Sequence, residues 1–439
     1  MSGSPALQCD YDVVTAVLNS GTGTQAIVGS CGGKTPKGGV LIATRGTTLG
    51  TTVAGAMISV AVWDSSGNVR LTSCMAENGA VAAAMNSGRR QNNSSILQEL
   101  STADETITGE ALFSSVSADT LTINITDAPV DQIILEVWMF YGDTLQAYVD
   151  QLSTSATLNG QATETGIPFQ PRALIAVGTV GAPNSFTSAR MAFGVCAFNA
   201  DGTIQGQCGM PFFDRNIPTL ATATGGGFRS DSMIQRITVD AGGTLTEDGR
   251  YRVDEATADG FKITTLGGAN GLVFGYLALH TGSLRAWVGS PSIATNATGN
   301  KTITDTGPGF RPRALFCLAS RQATSNSYVS DANSMHFCIG AAVSNSQACA
   351  GFFDQDAQAP SDTRSSSVSK LAEIEDLTAA VDSIDWDATL VSFDKGGFTV
   401  NVGTASASDR MVGFLALEAG SERSWLIPPR RWRRQLARM

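Results

Sequence analysis

The chain has 439 residues, only 15% of them charged, and a formal net charge of −10. Five arginines fall in the last ten residues with no acid among them, which leaves −15 on residues 1–429; such a body repels nucleic acid and anionic membrane, and general polyanion binding is excluded. No apolar run nears the roughly 20 residues that cross a bilayer, and Met1-Ser-Gly-Ser lacks a basic-then-apolar leader profile, so synthesis and assembly in a cytoplasm are expected.

In chain order, residues 1–36 mix Gly, Ser and Thr with two short strand-like pieces, 11–18 and 26–28. They read as an extension outside the repeated part of the chain, either loose or an arm that adds a strand to a neighbouring subunit. From residue 37 onward the chain repeats. Gly166-Ile-Pro-Phe-Gln-Pro-Arg-Ala-Leu-Ile175 returns as Gly307-Pro-Gly-Phe-Arg-Pro-Arg-Ala-Leu-Phe316, and Phe212-Phe-Asp214 returns as Phe352-Phe-Asp354. Met191-Ala-Phe-Gly and Met335-His-Phe-Cys align in the same way, as do Gly275-Tyr-Leu-Ala-Leu279 and Gly413-Phe-Leu-Ala-Leu417.

A third, more diverged copy precedes these two, with Lys37-Gly-Gly where the others have Phe-x-Pro-Arg. Leu97, Ile234 and Leu371 recur at intervals of 137 residues and are expected at equivalent buried positions. Short runs rich in Val, Ile, Phe and Thr, broken by turns such as Asp259-Gly260, predict strands. One segment, 370–384, carries helical spacing, but its repeat equivalents favour a strand at its start with one helical turn inserted. The fold class is therefore all-β: three tandem antiparallel β-sandwiches at 37–151, 152–289 and 290–428, an N-terminal extension at 1–36 and an Arg-rich tail at 429–439.

Residues able to titrate or ligate are few. His280 and His336 occupy different repeat positions and form no common site; Asp214 and Asp354 read as turn acceptors. The eight cysteines show no C-x-x-C spacing and are expected to be buried free thiols, although Cys196/Cys208 and Cys338/Cys349 fall on neighbouring strands. No catalytic residue, metal or cofactor is expected. The residues that stand out are Arg172 and Arg313, held by prolines at a strand entrance, where an arginine could bridge to a carboxylate of the next module, and the tail cluster Arg430, Arg431, Trp432, Arg433, Arg434 and Arg438. A further arginine, Arg90, Arg229 or Arg364, precedes the Ser-x-x-Leu strand of each copy and predicts an ion pair inside each module.

A module with an opening Gly-x-Phe-x-Pro-Arg-Ala-Leu, a middle Asp-Gly-Phe and a late Gly-Tyr-Leu-Ala-Leu resembles repeats in structural proteins of tailed bacteriophages, of the head-decoration, tail and fibre kind. The resemblance covers residues 166–427 and, more faintly, 37–150. It implies a non-enzymatic virion component, with other virion proteins and copies of itself as partners. A carbohydrate-binding adhesin that recognises host surface glycan is the alternative. Membrane is not an expected partner, and nucleic acid is one only through the tail.

Overall fold

The computed structural model describes residues 10–418 apart from 49, 51, 77–86, 102–105, 180–183, 186–187, 216–223, 241–243, 269–270, 292, 294, 305–306, 330–334, 355–361, 367–368, 377–382 and 409. The described chain is built of β-strands, eleven in each of three modules. Module one runs β1 (Tyr11–Val17), β2 (Gly23–Val28), β3 (Gly38–Arg45), β4 (Thr52–Ala54), β5 (Ala56–Asp64), β6 (Val69–Ala76), β7 (Ser87–Asn92), β8 (Ser95–Ser101), β9 (Thr106–Ser117), β10 (Thr120–Asp127) and β11 (Ile133–Phe140). Module two runs β12 (Gln146–Ser153), β13 (Gln161–Thr165), β14 (Ala173–Gly178), β15 (Asn184–Ser185), β16 (Ser188–Phe198), β17 (Ile204–Arg215), β18 (Thr224–Phe228), β19 (Ile234–Val239), β20 (Leu245–Thr257), β21 (Gly260–Gly267) and β22 (Val273–His280). Module three runs β23 (Arg285–Gly289), β24 (Gly299–Ile303), β25 (Ala314–Ser320), β26 (Ser327–Val329), β27 (Met335–Val343), β28 (Ser346–Asp354), β29 (Asp362–Ser366), β30 (Ala372–Asp376), β31 (Ser383–Asp394), β32 (Gly397–Val402) and β33 (Met411–Glu418).

Each module is a sandwich of a seven-stranded and a four-stranded antiparallel sheet. In module one the orders are β1-β11-β3-β5-β6-β7-β15 and β2-β10-β9-β8; modules two and three repeat them strand for strand. The seventh strand always comes from another module: β15 of module two completes module one, β26 of module three completes module two, and β4 of module one completes module three. The exchange is cyclic, so the three sandwiches close into a ring rather than a linear array.

Strand patterning explains the two layers. The four-stranded sheets alternate, as in β10, where Leu121, Ile123 and Ile125 are buried between less buried neighbours. The seven-stranded sheets do not alternate: β5, β14 and β25 are buried at every position, the signature of a sheet covered on both faces. One face packs on the module's own small sheet, giving three separate cores around Trp63, Tyr251 and Trp386. The other face points to the ring centre, where residues of all three modules merge into one core. The ladders put Val40, Ile175 and Phe316 at one equivalent position of that core and Cys74, Phe212 and Phe352 at another. Phe212 stacks on Phe352 at 4.8 Å between ring centroids, and Trp138 meets Phe316 at 5.1 Å.

Several expectations are corrected by register. Residues 11–28 are not an extension: β1 and β2 pair with β11 and β10 as β12 and β13 pair with β22 and β21, so the first module starts at the first described strand. Likewise β12 and β23 open modules two and three instead of closing the preceding ones, and strand pairing divides the chain at 11–140, 146–280 and 285–418. An edge strand such as β13, Gln161–Thr165, carries little hydrophobic pattern, so composition alone does not mark where a module begins. Leu97 and Ile234 are equivalent, but in copy three the position is Ala372, and Leu371 matches Met233. The amides of Met233 and Leu371 make the same bond to the neighbouring strand, and each carbonyl lies where a Cβ on Gly194 or Gly340 would overlap it. All of these side chains except the alanine are large and apolar, so a one-residue slip leaves no trace in the pattern. Met191 similarly lies opposite Phe212 as Phe337 lies opposite Phe352, so Met335 is two residues off the alignment drawn from sequence. The strand expected at the start of 370–384 is β30; the helical turn falls at 377–382, outside the described residues.

Candidate functional site: module junctions and a module-three cleft

Around the ring, the β5–β6 hairpin of each module and its equivalents touch the first strand of the next. Val149 N–H donates to Asp64 Oδ2 at 3.0 Å, Val288 N–H donates to Gln205 Oε1 at 2.6 Å, and Ser346 Oγ donates to Val13 O at 2.6 Å. Val13, Val149 and Val288 are equivalent by ladder, so one device is used three times. Each junction adds its own polar pair. Between modules one and two, Arg70 meets Asp150 at 2.5 Å and Arg89 donates to Ser188 O at 2.9 Å. Between two and three, Arg229 donates to Asn326 O at 3.2 Å, and Tyr328 OH donates to Glu247 at 2.5 Å.

Arg172 and Arg313 both lie at the strand entrance expected for them, and both are engaged within the chain. Arg313 Nη1 reaches Asp10 Oδ2 at 3.2 Å, a bridge from module three to module one. Arg172 Nη1 donates to Asn199 O at 2.6 Å inside its own module. Copy one keeps the feature in muted form, since Lys37 follows Pro36 and its amide bonds Phe140 O as those of Arg172 and Arg313 bond Leu279 O and Leu417 O. Burial raises the Asp10 carboxyl above its usual range, with Arg313 and Lys34 working in the opposite direction. Arg430, Arg431, Trp432, Arg433, Arg434 and Arg438, and Trp425, lie outside the described residues.

Arg229 forms the ion pair expected inside module two, with Asp231 at 2.7 Å, but it stands two residues from the ladder position shared by Arg90 and Arg364. Trp287 packs against Phe398 in the module-three core, on an opening strand. Asp214 and Asp354 sit within β17 and β28 rather than in turns, both buried. The histidines are far apart in role. His280 Nδ1 lies 2.7 Å from Gln170 O and its ring stacks on Phe169, whereas His336 is fully buried against Phe353 with neither ring nitrogen bonded. Burial, then the charges of Arg321 and Arg410, hold His336 well below the usual imidazole range.

Six cysteines, Cys74, Cys196, Cys208, Cys317, Cys338 and Cys349, are free and buried. Burial pushes the Cys74 and Cys208 thiols up to about 12. Cys196 and Cys208 face different cores across one sheet, so alternation alone keeps them apart. Cys31 departs from the expectation of free thiols throughout and is disulfide-bonded. No group of three or more His, Cys, Asp or Glu suited to a metal ion occurs among the described residues.

A cleft of about 400 Å³, which no sequence motif marks, lies between the β27–β28 hairpin and β31, lined by Arg311, Ser344, Asn345, Ser346, Gln347, Val391 and Phe393 among others. Its origin is a short turn. In module two the loop between β16 and β17 reaches down to β20, where Ala256 N–H donates to Gly202 O at 2.8 Å and Gln170 Nε2 donates to Ala256 O at 3.3 Å. In module three the turn is only Ser344-Asn345, since Val343 already pairs with Ser346. Arg311 holds the Gln170 place and donates through Nε to Phe393 O at 2.9 Å. Phe393 holds the Ala256 place and has no hairpin carbonyl to donate to. A turn length compared across repeats could have shown this from sequence.

No protein-family model matches the chain, and no curated protein matches it. Among solved structures, the chain is compared with a crystal structure of a Nitrosomonas europaea protein described under the name AttH: 9% identity, 87% of this chain and 92% of that chain covered, TM-score 0.14. A likeness of that degree carries no argument about fold or role.

Proposed function

We propose that the protein is a non-enzymatic structural component of a tailed-phage virion, of the head-decoration, tail or fibre type, that works through protein–protein contacts. The observation that carries this reading is the closed ring: each large sheet is buried on both faces, and each ring junction is cross-braced by an exchanged strand and a docked hairpin. Such a body is a rigid block with little to move around a substrate. Its composition agrees with an assembly role, since only 15% of the chain is charged. Both ends of the described chain lie at one end of the ring, because Asp10 bonds Arg313, the neighbour of the strand that pairs with Leu417. Asp10 and Glu418 thus lie on one side of the ring, and the five arginines of 430–438 supply groups able to fasten a block onto a larger particle by charge-assisted bonds to carboxylates. Exposed large apolar side chains among the described residues are valines and a leucine, with no aromatic ring for stacking on sugars, which sets glycan binding behind assembly.

The test is co-sedimentation with purified virions of the full chain and of a variant ending at Pro429, at low and high ionic strength. Association of the full chain that weakens with salt and with truncation is expected. Absence of the protein from virions and failure to sediment with them would refute the assignment.

A further inference from the structure

We infer that the module-three cleft is a docking site for a short acidic peptide segment of a partner protein, an inference that rests on the assembly reading and names the kind of partner. The chain shows the mode of occupation in its own second module, where the loop ending at Gly202 fills the equivalent groove and accepts the Ala256 N–H. Module three offers the same strand without the loop. An acceptor must come from outside the module if Phe393 N–H is to bond as Ala256 does, and a peptide carbonyl is the group that fits a lone backbone donor.

The lining says what the segment carries. Arg311 replaces Gln170 beside this strand, and only its Nε is used, on Phe393 O; its two terminal nitrogens remain for a planar, bidentate acceptor. No carboxylate is among the lining residues. Gln347 is fixed through its carbonyl, which accepts Leu390 N–H at 2.8 Å, so the amide hydrogens of Gln347 are left as donors. Ser344 and Asn345 are exposed at the rim, and Val391, 50% exposed, supplies an apolar shelf. A site of donors with an arginine at its base favours an Asp or Glu side chain, flanked by a small apolar residue over Val391. A volume of about 400 Å³ holds two or three residues, within the usual range of ligand pockets. In module one, Gly67 at φ 88° turns its hairpin onto the Phe113 ring, so that hairpin too is covered.

The experiment uses the full chain and a fluorescein-labelled hexapeptide Gly-Ser-Asp-Gly-Val-Thr, with the Asn analogue in place of Asp as control, followed by fluorescence polarisation. Saturable binding of the acidic peptide, at least tenfold weaker for the Asn analogue and for Arg311→Gln, is expected. Glutamine at 311 keeps the bond to the strand that Gln170 makes naturally, so that variant retains its fold; far-ultraviolet circular dichroism checks this. A second variant replaces Ser344-Asn345 with the module-two loop sequence of residues 198–205, which closes the cleft from within and should abolish peptide binding. Equal affinity for both peptides, indifference to Arg311→Gln, or no saturable binding would each overturn the inference. Virion co-sedimentation of the unaltered chain is read separately, so loss of the peptide result leaves the assembly reading to stand or fall by its own measurement.

Discussion

Replacing Ile234 with alanine tests whether the ring is one cooperative unit. Ile234 is fully buried in the core that module two keeps to itself, among Tyr251, Val253 and Phe274, and touches neither neighbouring module's core. Removing three carbons from this fully buried side chain leaves a cavity, so the cost is about 2–5 kcal/mol. Trp63 and Trp138 lie in module one, Trp287 and Trp386 in module three, and module two has no tryptophan at all. Tryptophan emission in guanidinium thus reports on modules that the substitution does not touch. If the shared core and exchanged strands make unfolding all-or-none, the emission midpoint falls together with the circular dichroism midpoint by the full destabilisation. If the tryptophan transition stays where it is while a separate circular dichroism phase moves, the modules unfold independently and the closed ring has no energetic meaning.

Phe212→Ala, which empties the place between Phe337 and Phe352, should cost about 3–5 kcal/mol and lower the midpoint of every probe in guanidinium unfolding. His336 is held neutral in the fold, so stability should be flat above about pH 6.5 and fall as pH drops below it, where only the unfolded chain takes up the proton, by at most about 1.4 kcal/mol per unit; His336→Met, the residue found at the equivalent Met57, should remove that slope in denaturation midpoints compared between pH 7 and 5. Gly413 faces Cys208 and Phe228 of module two, and a Cβ there would lie 2.7 Å from the Cys208 sulfur, so Gly413→Val should destabilise by about 1–3 kcal/mol in a thermal melt. The six free thiols should resist a thiol reagent at pH 8 until the chain is denatured, and fast reaction of any of them in the native protein would contradict their burial.

How far the sequence discloses this fold depends on what each residue pattern encodes. Phe212-Phe-Asp214 and Phe352-Phe-Asp354 occupy matching ladder positions, and Pro171-Arg172 and Pro312-Arg313 mark matching strand entrances, because side chains that fill one core or fix one φ angle are constrained wherever the module recurs. The limits of each module were hidden because edge strands such as Gln161–Thr165 pair on one side only and can be almost wholly polar. Ring closure was legible in one place. The runs Val40-Leu-Ile-Ala43, Leu174-Ile-Ala-Val177 and Leu315-Phe-Cys-Leu318 lack the alternation of a two-layer sandwich, and a sheet that is apolar on both faces needs a third layer. The cyclic exchange of β4, β15 and β26 has no such signature, since two or three residues of backbone pairing place no demand on side-chain type.

The three junctions are built alike but are not joined alike, and the difference locates where the ring can respond to a partner. Modules one and two are linked covalently through 141–145, and two and three through 281–284. Among the described residues, modules three and one are joined by non-covalent contacts that include β4 on β29, Ser346 on Val13, Arg313 on Asp10, and the rings of Trp138 and Phe140 against Phe316. Closing a loop of this length costs chain entropy that grows only with its logarithm, so a few buried aromatic contacts suffice to hold it shut. Separation at this seam is opposed by no direct linker, whereas at the other two junctions a linker of four or five residues keeps the partners close. The module-three hairpin that lines the cleft also makes the Ser346 bond across the seam. If the proposed peptide bound the closed ring better than an open one, linkage would stabilise closure in proportion to that difference in affinity.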